Sequence, residues 1–192
     1  MSALTAEQFE QWGIELRLSN EQAYAELFRK TYNPMLRFAT RIIADEEAAR
    51  DVLQDVYIKL WHKRFDLDTD KSLKALLYRM VRNKCYNYLR DHSRMSLGVD
   101  DTEPDPAPSI SDDAENEEQE ELKVRLNQWI EELPIRQREA FELSRFEGLD
   151  HEEIAEVMEC SPRTVNNHIV SALNHLRNRH NQHSNSSSSE RR

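Results

Sequence analysis

The sequence predicts an all-α chain made of two small helical domains joined by an acidic flexible linker. Three observations carry this. Apolar residues recur at helical spacing in both halves, and no alternating strand pattern is found. Only three Gly and six Pro stand among 192 residues, too few for a turn-rich β fold. From Met95 to Leu122 there is neither Lys nor Arg, and the run includes "DDTEPDPAPSISDDAENEEQEE". Acids, Ser and Pro without aromatics cannot bury enough apolar surface to order a chain, so this stretch reads as a disordered linker. The boundaries follow: an extension over 1–19, a helical unit over 20–94, the linker over 95–117, a second unit over 118–180, and a low-complexity tail, "NQHSNSSSSERR", over 181–192 that is expected to be disordered.

In "EQAYAELFRKTYNPMLRFATRIIA", Tyr24, Leu27, Phe28, Tyr32, Leu36, Ala39 and Ile43 follow helical spacing. Pro34 lacks a backbone N–H, so a kink or restart is expected near Asn33. "DEEAARDVLQDVYIKLW" reads as the next helix, with Asp45 as N-cap and acids in its first turn. Val52, Val56 and Leu60 mark its buried side. Asp51, Gln54 and Asp55 share another side, and this acid–amide–acid patch beside Trp61 suits a basic helix of a partner; an ordinary solvated acidic face is the bland reading. "FDLDTDKS" is a polar loop.

"KSLKALLYRMVRNKCYNYLR" reads as a long amphipathic helix of opposite charge. From Lys71 to Arg94 there are seven basic residues and one acid, Asp91. Leu73, Leu77, Met80 and Val81 point inward. Arg79, Arg82, Asn83, Tyr86 and Arg90 line one outer face, where cations, an amide and an aromatic suit phosphate contact and base stacking. A solvated basic helix is the alternative, with Tyr86 partly in the core.

"DHEEIAEVMECSPRTVNNHIVSALNHLR" holds two capped helices. Asp150 and Glu153 form a capping box, Ser161 caps the second helix, and Pro162 occupies its first position. Joined by only "MEC", the two cross steeply, as in a DNA-binding helix-turn-helix. Val165, Ile169, Ala172, Leu173 and Leu176 face Ile154, Ala155 and Met158. The opposite side carries Arg163, Asn167, Val170 and Asn174, flanked by Thr164, Asn166 and Ser171. Arg can bond guanine, and Asn adenine, bidentately in the major groove. No acid occurs from Cys160 to Ser189, and Arg177 and Arg179 suit phosphate contacts. Yet the whole chain has net charge −10, and acids outnumber bases from Lys123 to His183. Intrinsic DNA affinity is therefore weak, and a partner is needed to hold the reader on DNA.

Other chemistry finds little footing. Cys85 and Cys160 form no ligand pair, and His175, His180 and His183 have no Cys or acid at ligand spacing, so no metal or other cofactor is expected. No phosphate-binding Gly loop or nucleophile signature points to an enzyme. No apolar run spans a bilayer and the N-terminus lacks a basic n-region, so a cytoplasmic protein without membrane insertion is expected.

The strings "DEEAARDVLQDVYIKLW", "LLYRMVRNKCYNYLR" and "LPIRQREAFELSRFEGLDHEEIAEVMECSPRTVNNHIVSALNHLR", in this order, resemble a bacterial extracytoplasmic-function sigma factor. The resemblance covers residues 20–94 and 118–179. It implies that the first unit is sigma region 2, with Asp51, Gln54, Asp55 and Trp61 meeting the β′ clamp helices of core RNA polymerase. Arg79, Arg82, Asn83, Tyr86 and Arg90 would contact the −10 element, and the "FDLDTDKS" loop would receive a flipped base. The second unit would be region 4, reading the −35 duplex of promoter DNA through Ser161, Arg163, Thr164, Asn166, Asn167, Ser171 and Arg177 and touching the β flap. An anti-sigma factor is a further implied partner. The chain departs from the family at Glu159, where Gly or Asn is frequent, and a left-handed Glu there is strained by ~1–2 kcal/mol. Asn166 and Asn167 replace residues that are basic in many members. Two other readings stay open: a LuxR-type helix-turn-helix regulator, which would normally carry a sensing domain with strands, and a helical protein-binding adaptor.

Overall fold

The computed structural model describes residues 4–95 and 117–189. The chain divides into two compact units, one on each side of residue 109. Among the described residues there is no strand.

The first unit holds helices α1 (Ala6–Arg17), α2 (Glu21–Ile43), α3 (Glu46–His62) and α4 (Leu73–Met95), with a 3-10 turn at Arg64–Asp66. Each start is fixed locally. Thr5 and Gln8 form a capping box on α1, the Asn20 side chain accepts from the Gln22 and Ala23 amides, and Asp45 accepts from those of Glu47 and Ala48. The Ser72 hydroxyl accepts from the Ala75 amide at the head of α4. Ser19 and Ala44 turn the chain with positive φ just after α1 and α2.

Helix α2 packs on α1, α3 and α4 and is the spine of this unit. It runs through Pro34 as one helix, so the restart, one of the two outcomes expected near Asn33, does not occur. Burial of Leu27, Met35, Phe38 and Ala39 along its length outweighs the one backbone bond that the proline forgoes. The aromatics at 24, 28 and 32 form a second face turned to α3: Tyr24 meets Trp61 at a tilt with centroids 4.9 Å apart, and Phe28 meets Tyr57 edge-on at 4.8 Å. Buried Thr31 is fully partnered, donating to the Leu27 carbonyl at 2.6 Å and bonding the Tyr57 hydroxyl at 2.7 Å. Burial pushes the Tyr57 phenol well above its ordinary pKa.

Residues 1–19, expected to be an extension, include a working part of this unit. Phe9, Trp12 and Leu16 of α1 are buried, spaced to lie on one face against α2 and α4.

The second unit holds α5 (Glu117–Glu131), α6 (Ile135–Arg145), α7 (His151–Met158) and α8 (Pro162–Ser189). Helix α8 touches the other three. Ile130, Leu133, Phe141, Ala172 and Leu176 form its core, with Trp129 and Leu173 against them. Gly148, at φ 62, turns the chain between α6 and α7 where a side chain would be strained. Buried Leu149 then seats the Asp150–Glu153 capping box.

The tail expected to be disordered is helical to Ser189. Arg179 donates to Glu132, just after α5, at 2.6 Å, and the His180 and His183 rings lie 6.4 and 6.2 Å from that of Trp129. This anchorage carries α8 past its core, and each further residue then adds a backbone bond to an existing helix. The expected disorder of the linker falls on residues 96–116, outside those described.

Candidate nucleic-acid and partner interfaces

The recognition surface begins with the α7–α8 turn. Glu159 ends α7 in the left-handed conformation, φ 54 and ψ 52, so the strain expected from the sequence is present. Its neighbour Cys160 sends its amide to the Ala155 carbonyl at 3.0 Å, closing the helix end. The Ser161 hydroxyl accepts from the Thr164 amide at 3.1 Å and bonds the Thr164 hydroxyl at 2.8 Å. Ser161 and Thr164 are thus committed to the cap, and what they offer an anion is the positive end of α8.

Val165, Ile169, Ala172 and Leu176 are buried along α8, and Leu173 is half-buried. Arg163, Asn166, Asn167, Val170, Ser171, Asn174 and Arg177 are exposed, so the separation of faces read from the spacing is present. Arg179, read as a phosphate contact, is paired with Glu132 in this structure. The bond from Arg179 keeps the Glu132 carboxyl below its ordinary pKa, with His175 adding to it from 3.7 Å. Arg136 of α6 reaches the Met158 carbonyl at 3.4 Å and stands 3.9 Å from buried Glu139, tying the supporting helix to the end of α7.

In the first unit the acid–amide–acid face of α3 is exposed at Asp51, Gln54 and Asp55. The apolar side chain at its centre, one turn on, is Ile58, 48% exposed. Trp61, read as part of this face, is half-buried between Tyr24 and Arg64 and holds α2 to α3. Spacing alone put Trp61 beside the patch; the signal for Ile58 was its place at i+4 from Gln54 and i+3 from Asp55.

On α4 the predicted row divides. Arg90 is exposed, and Arg79, Asn83 and Tyr86 are half-buried. Arg82, expected on the outer face, is only 7% exposed. Its guanidinium lies 4.9 Å from the Tyr86 ring centroid and reaches Asn83 Oδ1 at 3.4 Å. Position 82 borders the buried stripe of Tyr78 and Cys85, which is why this long side chain is covered. Arg82 therefore fixes Tyr86 and Asn83, which carry the accessible polar edge.

The loop before α4 is built more than its polar sequence suggested. Leu67 is buried beneath it, Phe65 stands 60% exposed, and Asp68 takes the Asp70 amide at 3.1 Å and the Lys71 ammonium at 3.5 Å. Phe65 opens the loop read from the sequence as the receiver of a flipped base, and the sequence reading did not single it out. An aromatic next to a polar loop and upstream of a basic helix was its signal.

Residues 27–95 match the family model for Sigma-70 region 2, and residues 123–176 match that for Sigma-70, region 4. The RNA polymerase sigma-H factor of Pseudomonas aeruginosa is 30% identical over 177 residues, 88% of this chain and 92% of that protein. The ECF RNA polymerase sigma-E factor of Escherichia coli K12 is 32% identical over 137 residues, 67% and 72% of the two chains. In solved structures, the sigma factor RpoE of Bartonella quintana, held by the anti-sigma factor NepR, matches with TM-score 0.66 and 23% identity over 81% of this chain and 94% of that one. CnrH, bound to the cytosolic domain of CnrY, matches with TM-score 0.65 and 20% identity over 91% and 98%. The two structures share the fold; the sequence matches carry more, since they run through both units in order. The chain belongs to the sigma-70 family of RNA polymerase sigma factors and is of the extracytoplasmic-function type.

Proposed function

We propose that this sigma factor docks on core RNA polymerase through Asp51, Gln54, Asp55 and Ile58 of α3, reads a −35 duplex through α8, and captures an opened −10 strand along α4 and the loop before it. The observation that carries this is the capped α8, with Arg163, Asn167 and Asn174 exposed on a helix without acid as far as Ser189. A LuxR-type regulator is disfavoured by the first unit, in which the described residues form a helical bundle with no strand.

The division of labour follows from charge. Acids outnumber bases from Lys123 to His183, so phosphate attraction alone holds this unit weakly on DNA. Polymerase docking by the first unit raises its local concentration at the promoter. Base extrusion costs a few kcal/mol, and a surface that binds the extruded base pulls the duplex toward the open form. This needs no cofactor and no bond-making by the chain itself. A cytoplasmic location follows from such a task. NepR and CnrY on the similar sigma factors suggest an anti-sigma factor here as well, covering the polymerase or DNA faces until released. Co-elution with core polymerase tests the first step: the wild type elutes with core, and an Asp51→Ala, Asp55→Ala variant with an unchanged unfolding midpoint does not.

A further inference from the structure

One basic side chain of the first unit that joins several elements lies in none of the rows read from the sequence. Arg64 follows α3 and opens the loop to α4. Its Nε donates to the Ser19 hydroxyl at 2.9 Å, and a terminal nitrogen donates to the Trp61 carbonyl at 2.8 Å. Its guanidinium carbon lies 4.3 Å from the Trp61 ring centroid and 4.2 Å from that of Phe65. Ser19 is the left-handed turn between α1 and α2, and the Trp61 ring lies tilted against that of Tyr24 of α2. One planar cation therefore joins the α1–α2 turn, the end of α3 and the first aromatic of the loop. The far end of the loop is fixed separately, by Ser72 capping α4.

We propose that Arg64 is a positioning residue for strand capture. It sets the entry of the loop and holds the Phe65 ring outward, where an extruded base can stack. This rests on the reading that the loop receives that base. Two features favour positioning over plain packing. Phe65 is 60% exposed, so Arg64 does not bury it but steadies it at the surface. The contacts also need the guanidinium fork: Nε and a terminal nitrogen serve different elements while the plane lies against rings, which an ammonium cannot reproduce.

The test uses holoenzyme, assembled from core polymerase and the full chain, and a fluorescent non-template −10 oligonucleotide from the promoter upstream of its own gene. An abasic site is moved along the strand. In the wild type, one position should weaken binding about tenfold, the loss of one stacked base. Arg64→Ala should weaken binding to the intact strand by a similar factor, yet bind the strand abasic at that position no worse than the wild type does. Arg64→Lys, which keeps the charge and disturbs folding least, should show the same non-additive pattern. Losses that multiply would overturn the proposal and leave Arg64 a structural residue. If no abasic position matters to the wild type, the base-capture reading falls and the proposal with it. Core affinity and unfolding midpoint, measured alongside, should stay near wild type in Arg64→Lys.

Discussion

Lys84 Nζ stands 2.7 Å from Asp55 Oδ2, so a cation of α4, the helix proposed to meet DNA, rests on an acid of the α3 face proposed to dock on the polymerase. Their side chains are 45% and 60% exposed, and an exposed pair of this kind contributes ~0–1 kcal/mol. Lys84→Ala should therefore barely move the unfolding midpoint. It should leave core affinity equal or tighter, since Asp55 is then open to a partner's cation. Asp55→Ala should weaken core binding about tenfold, ~1.4 kcal/mol. Equal weakening by both variants in a core-binding titration would mean that Lys84 itself docks.

Arg163 lies exposed in the first turn of α8. Arg163→Ala should cost ~1–3 kcal/mol at one −35 base pair and relax selectivity there. Competition binding of holoenzyme to templates with single −35 substitutions checks this. A loss uniform across templates would make it a phosphate contact. Arg177→Ala should behave in that second way and lower the salt dependence of binding.

Glu159 holds φ 54 at the end of α7. A side chain there costs ~1–2 kcal/mol, of which the greater unfolded-state freedom of Gly returns ~0.5–1. Glu159→Gly should stabilise the second unit by ~0.5–1 kcal/mol in a denaturant titration. No gain would mean that contacts of the Glu side chain offset the strain.

The fold class and the recognition helix were legible because they depend on local signals. Asp150, Glu153, Ser161 and Pro162 name their own helix ends, and Val165, Ile169, Ala172 and Leu176 mark one face without help from the rest of the chain. What was missed depends on partners distant in sequence. Whether Pro34 restarts its helix is decided by the packing of α2 on three helices. Arg82 sits on the border of its helix's two faces, and only the rings beside it decide which way it lies. Trp61 turns to Tyr24, 37 residues earlier, and Ile58 is the exposed apolar side chain nearest Asp55 on that face. Arg64 shares no helix with Ser19 and joins it only through the tertiary fold.

The bond from Arg179 lowers the Glu132 carboxyl below its ordinary pKa. A carboxylate lowered in the folded state stabilises above its unfolded value, near ~4.3, and loses that contribution as pH falls through the folded value. Glu132→Gln should be less stable than the wild type at about pH 6, and the gap should close toward about pH 3. Thermal unfolding of the two proteins across this range checks the sign. A gap that widens with acidity would contradict the assignment.

Promoter opening tests the central claim most directly. Permanganate reactivity of thymines should be measured on a template from upstream of the protein's own gene, with the protein alone, core polymerase alone, and both. Reactive thymines near −10 only in the mixture are the expected result, reduced when Arg79 and Tyr86 are both changed to Ala. A footprint from the protein alone, with no opening in the mixture although it co-elutes with core, would contradict the account.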